Sequence, residues 1–164
     1  MAAWKKWLIG FFAVLLILAG SSVAGFFAFS SKKKFSSLNI KLEFQGPQVV
    51  SSGDSFSFTV LYENSENIAL KNSEITLNFP DGFYFEESSP LPDNEFKNSW
   101  DLKNIPAGNK GKIIIKGRIV GENNSSKTIS ARLNFEPENF SSPFDVRKDY
   151  LVRLNDSALK INFD

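Results

Sequence analysis

The chain contains no cysteine and no histidine. The first absence excludes disulfides, thiolate metal sites, a cysteine nucleophile and the lipid-modified cysteine of bacterial lipoproteins. The second excludes a Ser-His-Asp triad. No glycine-rich phosphate loop is present, and the glycines after residue 34 stand in turn-like contexts. Acidic residues are equally absent from the first 34 positions, which hold five lysines, Lys5, Lys6, Lys32, Lys33 and Lys34. The remaining residues carry 14 basic and 18 acidic side chains, a net of −4. A mildly acidic body argues against a nucleic-acid partner. The 164 residues allow one domain with an appendage.

The appendage is apolar. Trp7 to Ser31 is 25 residues without a charge. As a helix it would span roughly 37 Å at 1.5 Å per residue, more than the ~30 Å hydrocarbon core of a bilayer. The sequence predicts a transmembrane helix over 7–31, after a short basic N-terminus (1–6) and before a basic, serine-containing linker (32–37). Its lipid-facing side chains would be Trp7, Leu8, Ile9, Phe11, Phe12, Val14, Leu15, Leu16, Ile17, Leu18, Val23, Phe26, Phe27 and Phe29. Trp4 and Trp7 suit the headgroup region, and the lysines at both ends can snorkel.

A cleavable signal peptide is the main alternative, with core Leu8–Ala19 and the small residues Ser22-Val23-Ala24 as its cleavage site. Against it, Phe26, Phe27 and Phe29 extend the apolar run past the cut. A pilin-type leader departs at Leu15, where such proteins carry glutamate. The lysines nearly balance across the span. The short N-terminus favours a signal anchor with the C-terminal domain outside, and a cytoplasmic domain is the topological alternative.

After Lys34 the period changes to two. Leu38, Ile40, Leu42 and Phe44 alternate with polar residues, as do Phe56, Phe58, Val60 and Tyr62. The same holds for Ile75, Leu77 and Phe79, for Phe83 and Phe85, and for Ile129, Ala131, Leu133 and Phe135. Such alternation marks antiparallel strands with one wet face. Ile113-Ile114-Ile115 opens a denser run to Ile119-Val120, expected as a central strand. Pro80-Asp81-Gly82 and Pro106-Ala107-Gly108 read as turns, with proline expected at the second turn position and glycine closing. Seven or eight strands over 38–155 predict an all-β, immunoglobulin-like antiparallel sandwich behind the single N-terminal helix. Twelve of 17 phenylalanines follow Lys34 and supply a core that needs no disulfide. Residues 156–164 contain Leu159-Lys160-Ile161-Asn162-Phe163, which echoes Ile40-Lys41-Leu42-Glu43-Phe44. They would be a last edge strand or the start of a second repeat.

Several segments carry a resemblance. They are Ser52-Gly53-Asp54-Ser55-Phe56-Ser57-Phe58-Thr59-Val60 with Tyr62 and Asn64, Ala69-Leu70-Lys71-Asn72, Leu77-Asn78-Phe79-Pro80-Asp81-Gly82-Phe83, Trp100-Asp101-Leu102, and Ile105-Pro106-Ala107-Gly108 with Gly111. In this order they resemble the conserved-repeat immunoglobulin-like domains of bacterial and archaeal surface and S-layer-associated proteins. Phe79 stands where leucine is commoner in that family. The resemblance implies an exported module of envelope-anchored proteins, mostly without enzymatic function.

Candidate chemistry is sparse. Glu86-Glu87 and Asp93 with Glu95 share one loop-like region, but neighbours in an extended chain point to opposite faces and do not form a glycosidase pair. Asp81, Asp93 and Glu95 are isolated calcium candidates without an EF-hand loop. Trp100, Tyr84 and Phe83 could stack on a sugar; alternation instead places Trp100 in the core with Leu102, and Tyr84 outside. Sequons at Asn123, Asn124, Asn139 and Asn155 are expected by chance. No catalytic, cofactor or metal residue is assigned. The expected function is a non-catalytic, membrane-anchored, extracytoplasmic structural or interaction module at the cell surface, in adhesion or envelope assembly. Its partners would be the bilayer and an unidentified protein or glycan. The alternatives are a surface-tethered carbohydrate-binding module and an accessory domain of a larger enzyme.

Overall fold

The computed structural model describes residues 2–30 and 35–155, and along the helix the described side chains run unbroken only from Gly10 to Val23. The chain divides into two compact units, Met1–Lys34 and Phe35–Asp164.

The first unit is one helix, α1 (Ala2–Ser30, 29 residues). It contains no proline, and alanine and leucine recur through it, which favours the helical backbone. Its apolar residues surround the axis and form no single stripe. Trp7, Leu8, Phe11, Phe12, Val14, Leu15, Leu16, Ile17, Leu18 and Val23 are all exposed. Among the described residues no helix is long and apolar enough to cross a membrane. The side chains of Lys5, Lys6, Ile9, Phe26, Phe27 and Phe29 lie outside the described residues, as do Lys32, Lys33, Lys34 and the segment 156–164.

The second unit has nine strands. They are β1 (Ile40–Gln45), β2 (Val49–Ser51), β3 (Ser55–Asn64), β4 (Leu70–Asn78), β5 (Phe83–Ser89), β6 (Ser99–Ile105), β7 (Lys110–Ile119), β8 (Ser126–Pro137) and β9 (Phe144–Asn155). A four-stranded sheet has the order β1-β3-β7-β5, and a five-stranded sheet the order β2-β9-β8-β4-β6. Successive strands change sheet at every connection except the last, so the chain laces the two layers together. All pairings are antiparallel except β2 with β9. This is an immunoglobulin-like sandwich.

The alternating residues face inward as expected. Phe58, Val60, Ile75, Leu77, Ile129, Ala131, Leu133 and Phe135 are buried. In the isoleucine run Ile113 and Ile115 are buried while Ile114 faces out, and β7 lies between β3 and β5. Each fully buried side chain of this size contributes about 1.5–3 kcal/mol. Rings fill the gaps: Phe79 stacks on Phe83 at 4.2 Å, and Phe44 on Tyr150 at 5.2 Å.

Three expectations are corrected. Leu38 is exposed in a 3-10 turn (Ser37–Asn39) and does not belong to β1. Glu66 causes this, because its buried carboxylate accepts the Ser36 N–H at 2.9 Å and the Asn39 side-chain amide at 2.8 Å. In both glycine turns proline is first and not second, since Phe83 N–H donates to Pro80 O and Asn109 N–H to Pro106 O, each at 3.1 Å. Gly82 and Gly108 take the third position at φ +85° and +71°, a left-handed conformation that glycine adopts without a Cβ penalty. The ninth strand, β2, is three residues long and too short to show a period.

The chain enters and leaves the sandwich at opposite ends. Phe35 packs edge-on against Phe144 at 5.0 Å, beside the Phe135–Phe144 pair. Asn155 ends β9 next to the far turns, where its carbonyl takes the Ser52 N–H at 3.1 Å. The twelve residues of β9 between these points span about 40 Å.

Candidate functional site

Among the described residues no three acidic side chains converge on a point that could hold a metal ion. Asp93 is occupied structurally: its Oδ2 accepts the Asp101 N–H at 2.7 Å.

The acidic pair differs from the expectation. A bulge between Phe85 and Glu87 breaks the β5–β7 register. An extra residue in a strand re-aims its neighbours. Both carboxylates therefore approach one cation, with Lys116 Nζ 3.8 Å from Glu86 and 3.4 Å from Glu87. Glu86 also accepts the Ser55 hydroxyl at 2.6 Å. The pair shares a lysine on the outer face of a sheet, and no cleft separates the carboxylates.

The three aromatic candidates do not form a platform. Trp100 is buried, and its indole Nε1–H donates to Pro90 O at 3.0 Å. Phe83 packs on Phe79 and Phe58 inside the sandwich. Tyr84 alone is exposed, and the Arg118 guanidinium lies over its ring at 5.3 Å. That cation–π contact covers one ring face.

What the structure does present is the loop from Ser89 to Asn98. Leu91 and Phe96 on it are 77% and 84% exposed. The loop is nonetheless pinned. Asn94 Oδ1 accepts the backbone N–H groups of Asn98 and Ser99 at 3.0 and 3.2 Å. Asp93 N–H donates to Ser99 O at 2.8 Å, and Leu77 N–H to Asn98 O at 2.8 Å. Pro90 O accepts both the Trp100 indole and the Ser88 hydroxyl. The sequence reading weighed this stretch for its carboxylates and missed its two apolar residues. Prolines on either side of Leu91 were the available signal.

A second feature lies on the outer face of β1, β3 and β7. A shallow groove of about 470 Å³ is lined there by Lys41, Glu43, Leu61, Glu63, Lys110 and Lys112. Lys41 and Glu63 pair at 3.2 Å. The side-chain hydrogen bonds from Ser65 and Lys41 hold the Glu63 carboxyl below its usual pKa. Lys112 lies across the ladder from Leu61 and not from an acid.

No family model and no curated protein matches the chain. Solved structures match its sandwich. The cohesin module of a family 33 glycoside hydrolase from Clostridium perfringens is 10% identical at a TM-score of 0.53, covering 72% of this chain and 98% of that one. The CARDB domain of a Pyrococcus furiosus protein, solved with di-metal ions, is 12% identical at 0.51, covering 72% and 94%. AvmM, which catalyses macrocyclisation in alchivemycin A biosynthesis, is 15% identical at 0.50, covering 76% and 93%. At these identities the likeness carries the fold alone, and one fold hosts many functions. The chain is similar to immunoglobulin-like sandwich modules of the CARDB and cohesin type.

Proposed function

We propose that this protein is a membrane-anchored, extracytoplasmic interaction module without catalytic activity, of the conserved-repeat surface type. The observation that carries the proposal is α1: its apolar side chains surround the axis, and those described are exposed. A helix apolar all round is stable where lipid or protein covers every side. Trp7–Ser31 supplies 25 uncharged residues for a span, and the lysine groups at both ends supply interfacial anchors. The sandwich supports the second half of the proposal. It encloses an apolar core without disulfide or thiolate chemistry, and its entry and exit points lie at opposite ends. A module built that way separates Phe35 from Asn155 by the length of β9.

Membrane fractionation of the full chain tests this reading. The wild type should stay in the pellet through an alkaline wash and be released by detergent. Leu15→Arg with Leu18→Arg should move it to the wash, because arginine at the centre of a span costs about 2.5–3.5 kcal/mol each. Release of the wild type by the wash would remove the anchor. The carbohydrate-binding alternative loses ground to Arg118 over Tyr84. Glycan binding abolished by Tyr84→Ala would restore it.

A further inference from the structure

We infer that β1 of one copy pairs edge to edge with β1 of a second copy, antiparallel and centred on Leu42, so that two four-stranded sheets continue into one. The inference concerns the sandwich alone and goes beyond the reading of the chain as an anchored module.

An edge strand offers unpaired N–H and C=O groups to another chain unless something blocks it. The two sheets have four edge strands, β1, β5, β2 and β6. β2 is three residues long. β5 carries the bulge between Phe85 and Glu87. The free side of β6 is occupied from within the chain. Asp93 N–H donates to Ser99 O, Asp93 Oδ2 accepts the Asp101 N–H, and Asp101 Oδ1 accepts the Lys103 N–H. β1 has six residues, with no proline and no break in its register.

Hydrogen-bond parity fixes which groups of β1 are free. Ser65 N–H donates to Asn39 O at 2.9 Å, and bonding alternates along an antiparallel strand. Lys41, Glu43 and Gln45 therefore turn their backbone groups toward β3, while Ile40, Leu42 and Phe44 turn theirs outward. The Ile40 N–H agrees, because it closes the 3-10 turn onto Ser37 O on the side away from β3. Centred on Leu42, the pairing exchanges N–H and C=O between Leu42 and the second copy's Leu42. It also joins Phe44 N–H to the second copy's Ile40 O.

Charge selects both the occupant and the register. Lys41 and Glu43 are exposed on the outer face of β1. With Leu42 at the centre, Lys41 stands opposite the second copy's Glu43, and Glu43 opposite its Lys41. These are non-hydrogen-bonded pairs, whose side chains come closer together. The neighbouring registers that keep the same parity are centred on Lys41 or on Glu43. Each sets like charges directly opposite, which is destabilising. Among the described residues no ion pair holds Glu43, and its neighbour across the ladder is Leu61. Lys41 gives one hydrogen bond to Glu63, and an ammonium has further N–H donors. Lys110, Glu63 and Lys41 already stand in one row across β7, β3 and β1 with alternating sign. The second copy's Glu43 continues that row. On the inner face Ile40 meets the second copy's Phe44, whose ring is only partly buried in the single copy.

One patch meeting itself about a two-fold axis is isologous and closes as a dimer. A contact along one six-residue edge falls in the small, transient class of interface, below about 1,200 Å².

The absence of cysteine makes the test clean. Lys41→Cys and Glu43→Cys each introduce one thiol into the full chain, at exposed positions outside the core. The two variants are purified in detergent, mixed and mildly oxidised. Opposed positions fall within the Cα separation that a disulfide bridges, about 4.4–6.8 Å. Like positions are diagonal neighbours, about 7–8 Å apart. The mixture should therefore give a disulfide-linked dimer, and each variant alone roughly fivefold less. Glu43→Lys added to the Lys41→Cys copy places a like charge opposite the second copy's Lys41 and should cut the yield roughly threefold. Lys41→Glu added to the Glu43→Cys copy should then recover it. No dimer in the mixture, an equal yield from either variant alone, or a yield indifferent to Glu43→Lys overturns the inference. The pairing uses no residue of α1, so its failure leaves the anchor reading standing, and the alkaline wash tests that reading separately.

Discussion

The side-chain amide of Asn64 lies 3.0 Å from the carbonyl oxygen of Pro106, inside the sandwich where Asn64 has no exposed surface. The same nitrogen donates to Ile105 O at 3.1 Å and Ile68 O at 2.9 Å, while Oδ1 accepts the Glu66 N–H at 3.1 Å. The Asn64 backbone adds two more bonds, to Asn109 O and from Gly108 N–H. One asparagine thus ties the end of β3 to the turn between β6 and β7. Asn64→Ala should destabilise the domain by about 3 kcal/mol, because it strands buried backbone groups that each cost about 1–3 kcal/mol unpaired. Asn64→Asp should be at least as harmful, since it removes the donor and adds a buried charge. Chemical denaturation measures both; a loss below 1 kcal/mol for Asn64→Ala would contradict the assigned role.

Glu66 should control the entry segment. Its carboxylate holds Ser36 and Asn39. Glu66→Ala should speed hydrogen exchange at Ser36 and Asn39 at least tenfold, and Glu66→Gln, which keeps an acceptor oxygen, should recover part of the protection. Unchanged exchange in Glu66→Ala would show that the Phe35 packing holds the segment alone.

Trp100 should matter for volume more than for its hydrogen bond. Pro90 O keeps the Ser88 hydroxyl when the indole is lost. Trp100→Ala should cost about 3–5 kcal/mol through the cavity it leaves. Trp100→Phe should cost clearly less and still fold, which thermal unfolding would show.

Tyr150 gives the domain an alkaline limit. Burial pushes its phenol up to about 12, from a usual value of 10.0. The folded state therefore favours the neutral phenol. The associated stability is complete below pH 10 and is lost as pH rises from about 10 to about 12. Tyr62 is raised by burial in the same direction. Tyr150→Phe should flatten the fall in unfolding midpoint between these pH values. It should also cost about 1 kcal/mol at neutral pH, because the Tyr150 hydroxyl donates to Pro47 O. A pH profile parallel to the wild type would place the titration elsewhere.

Most of the fold is legible in the sequence because its strands obey a simple rule. β3 and β8 alternate without interruption, and their inward residues can be listed from the chain alone. β9 is harder. Tyr150, Val152 and Leu154 face in, yet Lys148, at the same parity, is exposed and Leu151 faces out, so the period is blurred. Leu38 misleads because a distant carboxylate, Glu66, rather than local propensity bends the chain before β1. The Glu86–Glu87 geometry depends on a bulge that no local pattern announces. Asn64 and Trp100 were legible as motif positions, and only the structure shows what each of them holds. The loop bearing Leu91 and Phe96 carries no periodic signal, and its order comes from side-chain-to-backbone bonds made by Asn94 and Asp93.

The central claim is an anchored domain that faces outward. Protease accessibility in intact cells tests it most directly, read together with membrane fractionation and the N-terminal mass from the same sample. Digestion of the sandwich without lysis, with an undigested membrane fragment that retains Trp4 and Trp7, is the predicted result. Protection of the sandwich until the cells are lysed, or a mature chain beginning at Gly25, would contradict it.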